Sequence, residues 1–526
     1  MSVGDKNKNM SSKQSKKVKR HINARFLWLI SLLAAVVFIV TFWLTPLFPL
    51  KWTLIVIVAL AVVLFITFFL SLKTSPQNVF TKIINILVSI VLLLSSILIP
   101  YEVDKVSALF SQNFSQKVTI NIYRMSDDYA TANGFTNVYS YSSQENSVVD
   151  NLLYLKNAKF ITSMNTDTEN SDYALSQMNS TFGSTPKVID RGSFVEAASA
   201  LYNHEGDFMI MPSSYESILK DTNMYTNFSN DTKIVYSFVR EIKTVKTVQG
   251  DTTLTKEPFS IFFGGNDEEG ELSLEGRTDV CMVVTVNPNT HQVSIINLAR
   301  DSYIPNPYYD DEKDKLTHLG LKGIDNTLTG LSNYLDETIN NYVIINFSTF
   351  QNIITAINGV DIVNPYAFEA DDGEYFEEGT LHLEGNSALM YVRERHHLTD
   401  GDFGRNMHQQ IVMSAIIDKI TSAEGIVNFN KILNSISGQF LTNISSNALY
   451  GLVNKQLNEN MSWNIVKYHV LGDVGMAECA SVTGQELSVV YPYTNQVEFV
   501  KTVINAVDNG DYVEQQTLPD GSYDTQ

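Results

Sequence analysis

The chain has 526 residues, which is enough for more than one domain, and its formal net charge at pH 7 is −20. Residues 1–99 carry eleven Lys and Arg against the single acid Asp5, whereas residues 100–526 contain 26 basic and 56 acidic residues. Such an acidic region argues against nucleic-acid binding, which requires neutralised phosphates. The two cysteines, Cys281 and Cys479, are far apart in sequence, and we expect both to be unpaired and buried.

The first hundred residues indicate a membrane anchor. Residues 1–25 are polar and basic, as expected of a disordered cytoplasmic tail ahead of a membrane span. Three uncharged apolar segments follow at residues 26–44, 52–72 and 83–99, each close to the roughly 20 residues that cross a bilayer. We therefore predict three transmembrane helices within residues 26–100 and a cytoplasmic N-terminus. The remainder would lie outside the cell, where chemistry needs an exported, energy-rich substrate.

Residues 102–245 predict an extracytoplasmic α/β accessory domain. Strand-like stretches (residues 118–123, 159–162, 208–211 and 233–238) alternate with helical ones (148–155 and 193–202). The polar cluster at residues 165–172 is interpreted as a solvated loop. No chemical constellation is evident here, which favours an accessory or binding role. Residues 246–257 are interpreted as a linker.

Residues 258–508 predict a second α/β domain, built around a hairpin. Two β-branched runs, residues 280–286 and 293–299, flank Asn-Pro-Asn-Thr-His. Folding about the turn places Asp279 opposite Arg300. Acidic residues 369–378 resemble a calcium loop only in charge, so a solvated loop is expected. The polar residues 509–526 are predicted to be a disordered tail.

Arginines are concentrated in two stretches of this domain. Residues 100–526 contain only eight arginines, of which five are Arg277, Arg300, Arg393, Arg395 and Arg405. A helix predicted over residues 404–420 places Gln409 one turn after Arg405. Arginine binds phosphate through paired hydrogen bonds, and the neighbouring carboxylates Asp267, Asp279 and Asp402 reach phosphate through Mg²⁺. The pattern favours a pyrophosphate site and phosphoryl transfer over ordinary surface ion pairs. Adjacent His396 and His397 are not expected to face one metal site.

The ordered motifs resemble the LytR–CpsA–Psr (LCP) family of wall-polymer ligases. They are Gly265-Asn266-Asp267, Arg277-Thr278-Asp279, Ala299-Arg300-Asp301, Lys315-Leu316-Thr317-His318, Asn358-Gly359-Val360-Asp361, Tyr391-Val392-Arg393-Glu394-Arg395, and Asp400 through Arg405 to Gln409. The three spans and the interposed outer domain resemble the streptococcal CpsA type. Two positions depart from the family: Ala299 replaces the usual Pro, and His408 stands where many members have Arg.

The resemblance implies an LCP domain with a central mixed sheet and an apolar tunnel for a polyprenyl chain. It implies that the pyrophosphate is bound by Arg277, Arg300, Lys315, Arg393, Arg395, Arg405 and Gln409. Asp267 and Asp279 would bind Mg²⁺, and Arg300, Arg405 and Asp402 would be catalytic, with Asp402 the candidate base.

The implied reaction moves a capsular or other wall glycopolymer from polyprenyl pyrophosphate to peptidoglycan. The implied location is the multi-pass membrane of a Gram-positive bacterium, with capsule-synthesis proteins as further partners. Two alternatives stay open. One is a pyrophosphatase that uses water as the acceptor, and the other is a non-enzymatic regulator of capsule synthesis.

Overall fold

The computed structural model divides the chain into two compact units, Met1–Asp104 and Lys105–Gln526. It describes residues 23–44, 50–73, 79–110, 116–135, 152–222, 224–242, 253–266, 272–399, 401–422, 424–425, 428–435, 440–459 and 462–523. The basic tail up to residue 22 and most of the predicted linker (residues 246–252) lie outside the described residues.

The first unit is helical. Helix α1 is Ala24–Leu44, α2 is Leu50–Lys73, and α3 is Val79–Phe110. Among the described residues, three segments are long and apolar enough to cross a membrane, at Ala24–Leu44, Thr53–Leu72 and Val79–Tyr101. The Ser31 hydroxyl of α1 donates to the Asn85 carbonyl of α3 at 2.9 Å, and the Trp28 indole donates to the Leu64 carbonyl of α2 at 2.9 Å. The three predicted apolar helices are confirmed.

The second unit begins with a mixed sheet whose strand order, in the described residues, is β3-β2-β4-β1-β5. Strands β2, β3 and β4 are parallel, and β1 is antiparallel to β4 and β5. The sheet packs against short helices, and Ile120, Phe160, Phe208 and Ile210 are almost fully buried in its core. The element bounds are β1 Gln116–Met125, α4 Asp127–Ala132, β2 Lys159–Thr162, α5 Thr168–Phe182, β3 Lys187–Asp190, α6 Phe194–Tyr202, β4 Phe208–Pro212, α7 Glu216–Asp221, α8 Phe228–Asp231 and β5 Thr232–Ile242.

The interpretation of residues 165–172 as a solvated loop is wrong. Helix α5 begins at Thr168, and the Asp167 carboxylate accepts from the Asn170 backbone N–H at 3.2 Å. The Ser171 hydroxyl lies 3.1 Å from that of Thr162, and Ser171 is buried. These polar residues therefore cap and anchor a helix, which is a frequent use of Asp at a helix N-terminus. Of the predicted helix at 148–155, Leu152–Leu155 forms a 3₁₀ turn, and residues 148–151 lie outside the described residues.

A second mixed sheet follows, with the order β16-β11-β6-β7-β8-β17 in the described residues. Strands β6, β7 and β8 are successively antiparallel, while β11 and β17 are parallel to β6 and β8. Its elements are β6 Phe259–Asn266, β7 Val280–Asn287, β8 Gln292–Leu298, α10 Ile324–Leu335, β11 Ile339–Asn346, α11 Phe347–Ala356, α12 Gly385–Arg393, α13 Asp402–Thr421, α14 Phe429–Ser435, β16 Phe440–Thr442, α15 Ser446–Glu459, β17 Asn464–Val470 and α16 Thr494–Asn509. Shorter elements are β9 Tyr303–Pro305, β10 Lys313–Lys315 and α9 Leu316–Leu319. Two strand pairs are β12 Val360–Asn364 with β15 Gly379–Leu383, and β13 Phe368–Glu369 with β14 Tyr375–Phe376. A hairpin is formed by β18 Gly472–Cys479 and β19 Val482–Pro492.

Helices cover both faces of this sheet. Successive side chains of a strand point to opposite faces, so neighbouring residues of β7 and β8 pack in two different clusters. Val283 and Ile296 pack in one cluster with residues of α10 and α16. Their neighbours Met282 and Ile295 pack in another, which Met413 of α13 joins. Helix α13 therefore lies on one face of the β7–β8 hairpin, close to its charged end. Cys281 and Cys479 are both free and buried, as expected.

The first sheet's region shares an apolar cluster with the β18–β19 hairpin. Phe194 and Leu219, from the first sheet's helices, pack in one buried group with Leu321, Leu487 and Val489. The last two belong to the β18–β19 hairpin, which follows the second sheet in the chain. Burial of such side chains stabilises a contact roughly in proportion to its apolar area. The shared cluster therefore fixes helix α7 relative to the β18–β19 hairpin.

The chain after α16 differs from the predicted disordered tail. The Val513 N–H donates to the Gln292 side chain at 2.8 Å, and the Gln516 N–H donates to the Tyr468 hydroxyl at 3.0 Å. Val513 itself is buried. Polar composition alone suggested disorder, but these backbone groups find partners along the β8–β17 edge. Residues 524–526 lie outside the described residues.

Candidate active site

The first half of the site is the open end of the β7–β8 hairpin. The strands pair with Met282 opposite Asn297, so that Asp279 and Arg300 face each other where the ladder ends. A side-chain hydrogen bond from Arg300 to Asp279 closes this end. The Asp279 N–H also donates to the Gly265 carbonyl at 2.7 Å, which ties the hairpin to the end of β6. The predicted juxtaposition of Asp279 and Arg300 is therefore present.

The second half comes from α12 and α13. The Asn297 side chain of β8 donates to the Gln409 side-chain oxygen at 3.4 Å. The Gln409 amide in turn donates to the Val392 carbonyl of α12 at 3.4 Å. Gln409 therefore joins the first turns of α13 both to the hairpin and to the end of α12. This arrangement brings Arg405 and Arg393 towards the charged end of β7 and β8.

The two halves enclose one cavity of about 650 Å³. Most of the predicted site residues line it: Arg277, Asp279, Arg300, Arg393, Arg395, Arg405 and Gln409. Arg277 and Arg405 are buried, with 7% and 8% exposure, whereas Arg393 and Arg395 are exposed. The cavity thus has a desolvated cationic base and an exposed cationic rim, which suits recognition of a multiply charged anion.

The remaining predicted site residues are Lys315, Asp402 and Asp267. Lys315 is buried and does not line it; its ammonium group lies 3.0 Å from Asp301. Lys315 would act on a ligand only through Asp301, which also contacts Arg300 at 3.5 Å. Asp402 is the first residue of α13, and its side chain lies outside the described part of the structure. Asp267 also lies outside the described residues.

Several residues at the cavity are not evident from the sequence. The Arg393 guanidinium lies 4.4 Å from the centre of the Phe347 ring, within the range of a cation–π contact. The Asp221 carboxylate lies 2.6 Å from the Arg277 guanidinium, and Asp221, Lys220 and Ser217 line the cavity. The α7 residues are missed because nothing in their local sequence relates them to an arginine on another sheet.

The carboxylates next to the arginines stay ionised. Burial alone would raise the pKa of Asp301, but Lys315 and Arg300 hold that pKa below its usual value. Burial would also raise the pKa of Glu394, yet backbone N–H groups of His397 and Asp371 hold it low. Both side chains are therefore anionic at neutral pH and balance part of the arginine charge.

The donor set at the hairpin end is compatible with a magnesium ion. The Asp279 carboxylate lines the cavity, and carboxylate oxygens are preferred Mg²⁺ ligands. Asp267 directly follows β6, the antiparallel neighbour of β7, and Asp279 directly precedes β7. Asp267 itself lies outside the described residues, so a magnesium site shared by Asp267 and Asp279 stays a prediction.

The contacts of His396, His397 and His408 change or extend their interpretation from the sequence. His396 and His397 were not expected to face one site, but both rings contact Asp371, at 3.0 Å and 3.4 Å. The turn after α12 allows this, because the two residues lie outside a regular helix. His408 is fully buried and stacks on Tyr391 with ring centres 4.1 Å apart. It does not line the cavity and so does not replace the family arginine there.

His408→Phe is expected to make the stability of the chain less sensitive to acid. Burial lowers the pKa of His408 to about 4, so the folded chain resists a proton that the unfolded chain accepts below about pH 6.5. Wild-type stability should therefore fall between about pH 6.5 and 4, by up to about 3 kcal/mol from this residue. The unfolding temperature of wild type minus that of His408→Phe should therefore decrease as the pH falls across that range. A difference that stays constant with pH would contradict the assignment.

A smaller, apolar cavity adjoins the charged one. Its volume is about 100 Å³, and it shares Val280, Phe347, Val392 and Gln409 with the charged cavity. The rest of its lining is mainly apolar: Phe263, Gly265, Asn266, Met282, Ile345, Asn346, Phe350, Ile353, Leu389, Met413 and Ile416. One part of the site is therefore lined by apolar side chains, and the other is lined by arginines.

Comparison with known proteins relates these features to a family. The chain matches the LytR_cpsA_psr family over residues 222–492. The polyisoprenyl-teichoic acid–peptidoglycan teichoic acid transferase TagU of Bacillus anthracis is 32% identical over 231 residues, which cover 44% of this chain and 75% of that protein. TagU of Enterococcus faecalis is 35% identical over 193 residues, which cover 36% and 63%. The crystal structure of Bacillus subtilis TagV is 27% identical, with a TM-score of 0.41, and the match covers 49% of this chain and 99% of TagV. Because the family match spans more than half of the sequence, the chain belongs to the LytR–CpsA–Psr family.

Proposed function

We propose that the chain is a phosphotransferase that attaches a wall glycopolymer, carried on polyprenyl pyrophosphate, to peptidoglycan. The observation that carries the proposal is the convergence of Arg277, Arg300, Arg393, Arg395 and Arg405 on one cavity with an apolar cavity beside it. A pyrophosphate on a hydrocarbon chain matches this pair of cavities, because its anionic group fits the arginines and its chain fits the apolar lining. The names of the relatives, which are teichoic acid–peptidoglycan transferases, support the same class of acceptor and donor.

The arginines would act chiefly by position and charge. A hydroxyl oxygen of the peptidoglycan acceptor attacks the phosphorus that bears the glycan, and its proton passes to a base, for which Asp402 is the candidate. The bond from that phosphorus to the bridging oxygen breaks, and polyprenyl phosphate leaves with the electron pair. Charge on the transferring phosphoryl group is neutralised by Arg300 and Arg405, in line with how phosphoryl transfer is catalysed elsewhere. Mg²⁺ held by Asp279 and Asp267 would add positive charge at the pyrophosphate oxygens.

The three membrane-spanning helices fit a lipid-linked donor. With a cytoplasmic N-terminus, an odd number of spans places the large C-terminal region outside the cell, where lipid pyrophosphates present activated glycans. The three spans and the α/β region before residue 222 resemble the CpsA type, and on that resemblance we propose a capsular polymer as the substrate.

Product analysis with the full chain in vesicles tests the reaction. Given polyprenyl-pyrophosphate-linked glycan, Mg²⁺ and peptidoglycan, wild type should form a glycan–peptidoglycan conjugate joined by a phosphodiester, together with polyprenyl phosphate. Mass spectrometry of digested peptidoglycan detects the conjugate. Free glycan phosphate without any conjugate would instead indicate a pyrophosphatase. Unchanged substrate would support the regulatory alternative.

A further inference from the structure

Helix α7 belongs to the first sheet's region, yet it forms part of the charged cavity. Ser217, Lys220 and Asp221 line the same space as the arginines of the second sheet. The family match begins at residue 222, directly after these three residues. This wall of the cavity is therefore supplied by a part of the chain that the family match does not include.

The position of α7 is fixed on two sides. Ile218 and Leu219 are buried in the apolar cluster that also contains Leu487 of the β18–β19 hairpin. At the end of the helix, Asp221 forms its 2.6 Å ion pair with the buried Arg277. A charge-assisted contact to a desolvated arginine is stronger than an exposed pair. The helix is thus a fixed wall of the cavity.

Lys220 is held at the cavity by its own helix. Its ammonium group lies 3.1 Å from Glu216, one turn earlier, and Glu216 accepts from the Tyr123 hydroxyl at 3.2 Å. Burial would raise the pKa of Glu216, but contacts with Ser229 and Lys220 hold it low, so Glu216 stays ionised. An ammonium group has three N–H donors, and the contact to Glu216 needs one. Lys220 can therefore donate to a ligand while it remains anchored.

The location of α7 within the cavity indicates which part of the ligand it meets. The apolar cavity shares Val280, Phe347, Val392 and Gln409 with the charged one, whereas the α7 residues line the charged cavity alone. A ligand with its prenyl chain in the apolar cavity and its pyrophosphate on the arginines would present its first sugar to the rest of the lining, which α7 forms together with residues 370–372, Glu394 and His396. Lys220 offers a donor to sugar oxygens there, and the Ser217 hydroxyl, which donates to the Ser214 carbonyl at 3.2 Å, offers an acceptor to sugar hydroxyls.

We propose that α7 is a sugar subsite, in which Lys220 and Ser217 hydrogen-bond the sugar attached to the pyrophosphate and so help to select the glycan that is transferred. The inference rests on the proposed function, since it requires the pyrophosphate to lie on the arginines. Asp221 is a positioning residue, because its ion pair with Arg277 holds the helix in place.

Binding of two lipids to the full chain in vesicles tests the subsite. The probes are polyprenyl pyrophosphate and the same lipid carrying one N-acetylhexosamine on the pyrophosphate. Lys220→Ala should weaken binding of the sugar-bearing lipid about tenfold, the effect of losing one charged hydrogen bond, and should change the Kd of the sugar-free lipid by less than about twofold. Lys220→Arg, which keeps a cationic donor, should retain most of the preference. Lys187→Ala, at an exposed position on β3 outside the cavity, should alter neither Kd.

The outcomes separate this inference from the proposed function. If Arg300→Ala weakens both lipids and Lys220→Ala weakens neither or both equally, the sugar subsite is overturned and the pyrophosphate site stands. If Arg300→Ala weakens neither lipid, the proposed function fails, and the subsite fails with it. The subsite is supported if Lys220→Ala weakens binding of the sugar-bearing lipid alone and Lys220→Arg retains that binding.

Discussion

Arg300→Ala is expected to lower the rate of polymer transfer by about 10²–10³-fold, the usual cost of losing a preorganised donor to developing charge. Arg300 lies at the end of the β7–β8 hairpin, lines the charged cavity and is held by Asp279 and Asp301. Its orientation is therefore set before a ligand binds. The rate of conjugate formation by the full chain in vesicles, under saturating donor lipid, measures the effect.

Two further variants make this result specific. Arg191→Ala removes an arginine that pairs with Glu205 away from the cavity, and its rate should match that of wild type. Arg300→Lys keeps the charge but loses the planar fork, so it should recover only part of the rate. A folded, membrane-inserted Arg300→Ala protein with wild-type transfer would rule out the assigned role of the hairpin end.

Asp314→Ala is expected to cost about 3–5 kcal/mol of unfolding free energy, because it leaves buried polar partners unmatched. Asp314 is fully buried and contacts the His318 ring at 2.8 Å, the Asn306 amide at 3.1 Å and the Ser481 hydroxyl at 3.0 Å. These contacts join β10 and α9 to the chain between β18 and β19. The unfolding temperature of the detergent-solubilised chain should fall accordingly.

The pH dependence gives this prediction a second measurement. Burial would raise the pKa of Asp314, but His318 and the hydrogen bonds from Ser481 and Asn306 hold it below its usual value. The stabilisation is then present above a pH of about 3.9, the ordinary pKa of aspartate, and is lost in more acidic solution. Glu312→Ala, at an exposed position nearby, should unfold like wild type at every pH. Equal stability of Asp314→Ala and wild type would contradict the network.

The parts of the fold that follow from local pattern could be predicted. Alternating β-branched residues predicted β7 and β8, and the turn between them fixed the register that sets Asp279 against Arg300. Helical spacing likewise placed Arg405 and Gln409 on the face of α13 that meets the cavity. Both signals depend on residues close together in the chain, where geometry is set by the backbone period.

The parts that depend on distant contacts could not be predicted. Asp167 and Asn170 have the composition of a loop, and only their hydrogen bond shows that they start a helix. Val513 stands in a polar tail that the β8 side chain of Gln292 binds. Lys220 and Asp221 lie on a helix of six residues, and their relation to Arg277 arises from how two sheets pack. The identities of these residues gave no sign of their partners.

The apolar cluster that joins the first sheet's region to the β18–β19 hairpin has a practical consequence for engineering the protein. A shortened gene that removes residues 105–245 would expose Leu321, Leu487 and Val489 to water, together with the buried Cys479. Such a product exposes a contiguous apolar surface and is expected to aggregate or be degraded. Loss of polymer transfer in that deletion variant would thus report misfolding, whereas Lys220→Ala on α7 removes no side chain of the cluster.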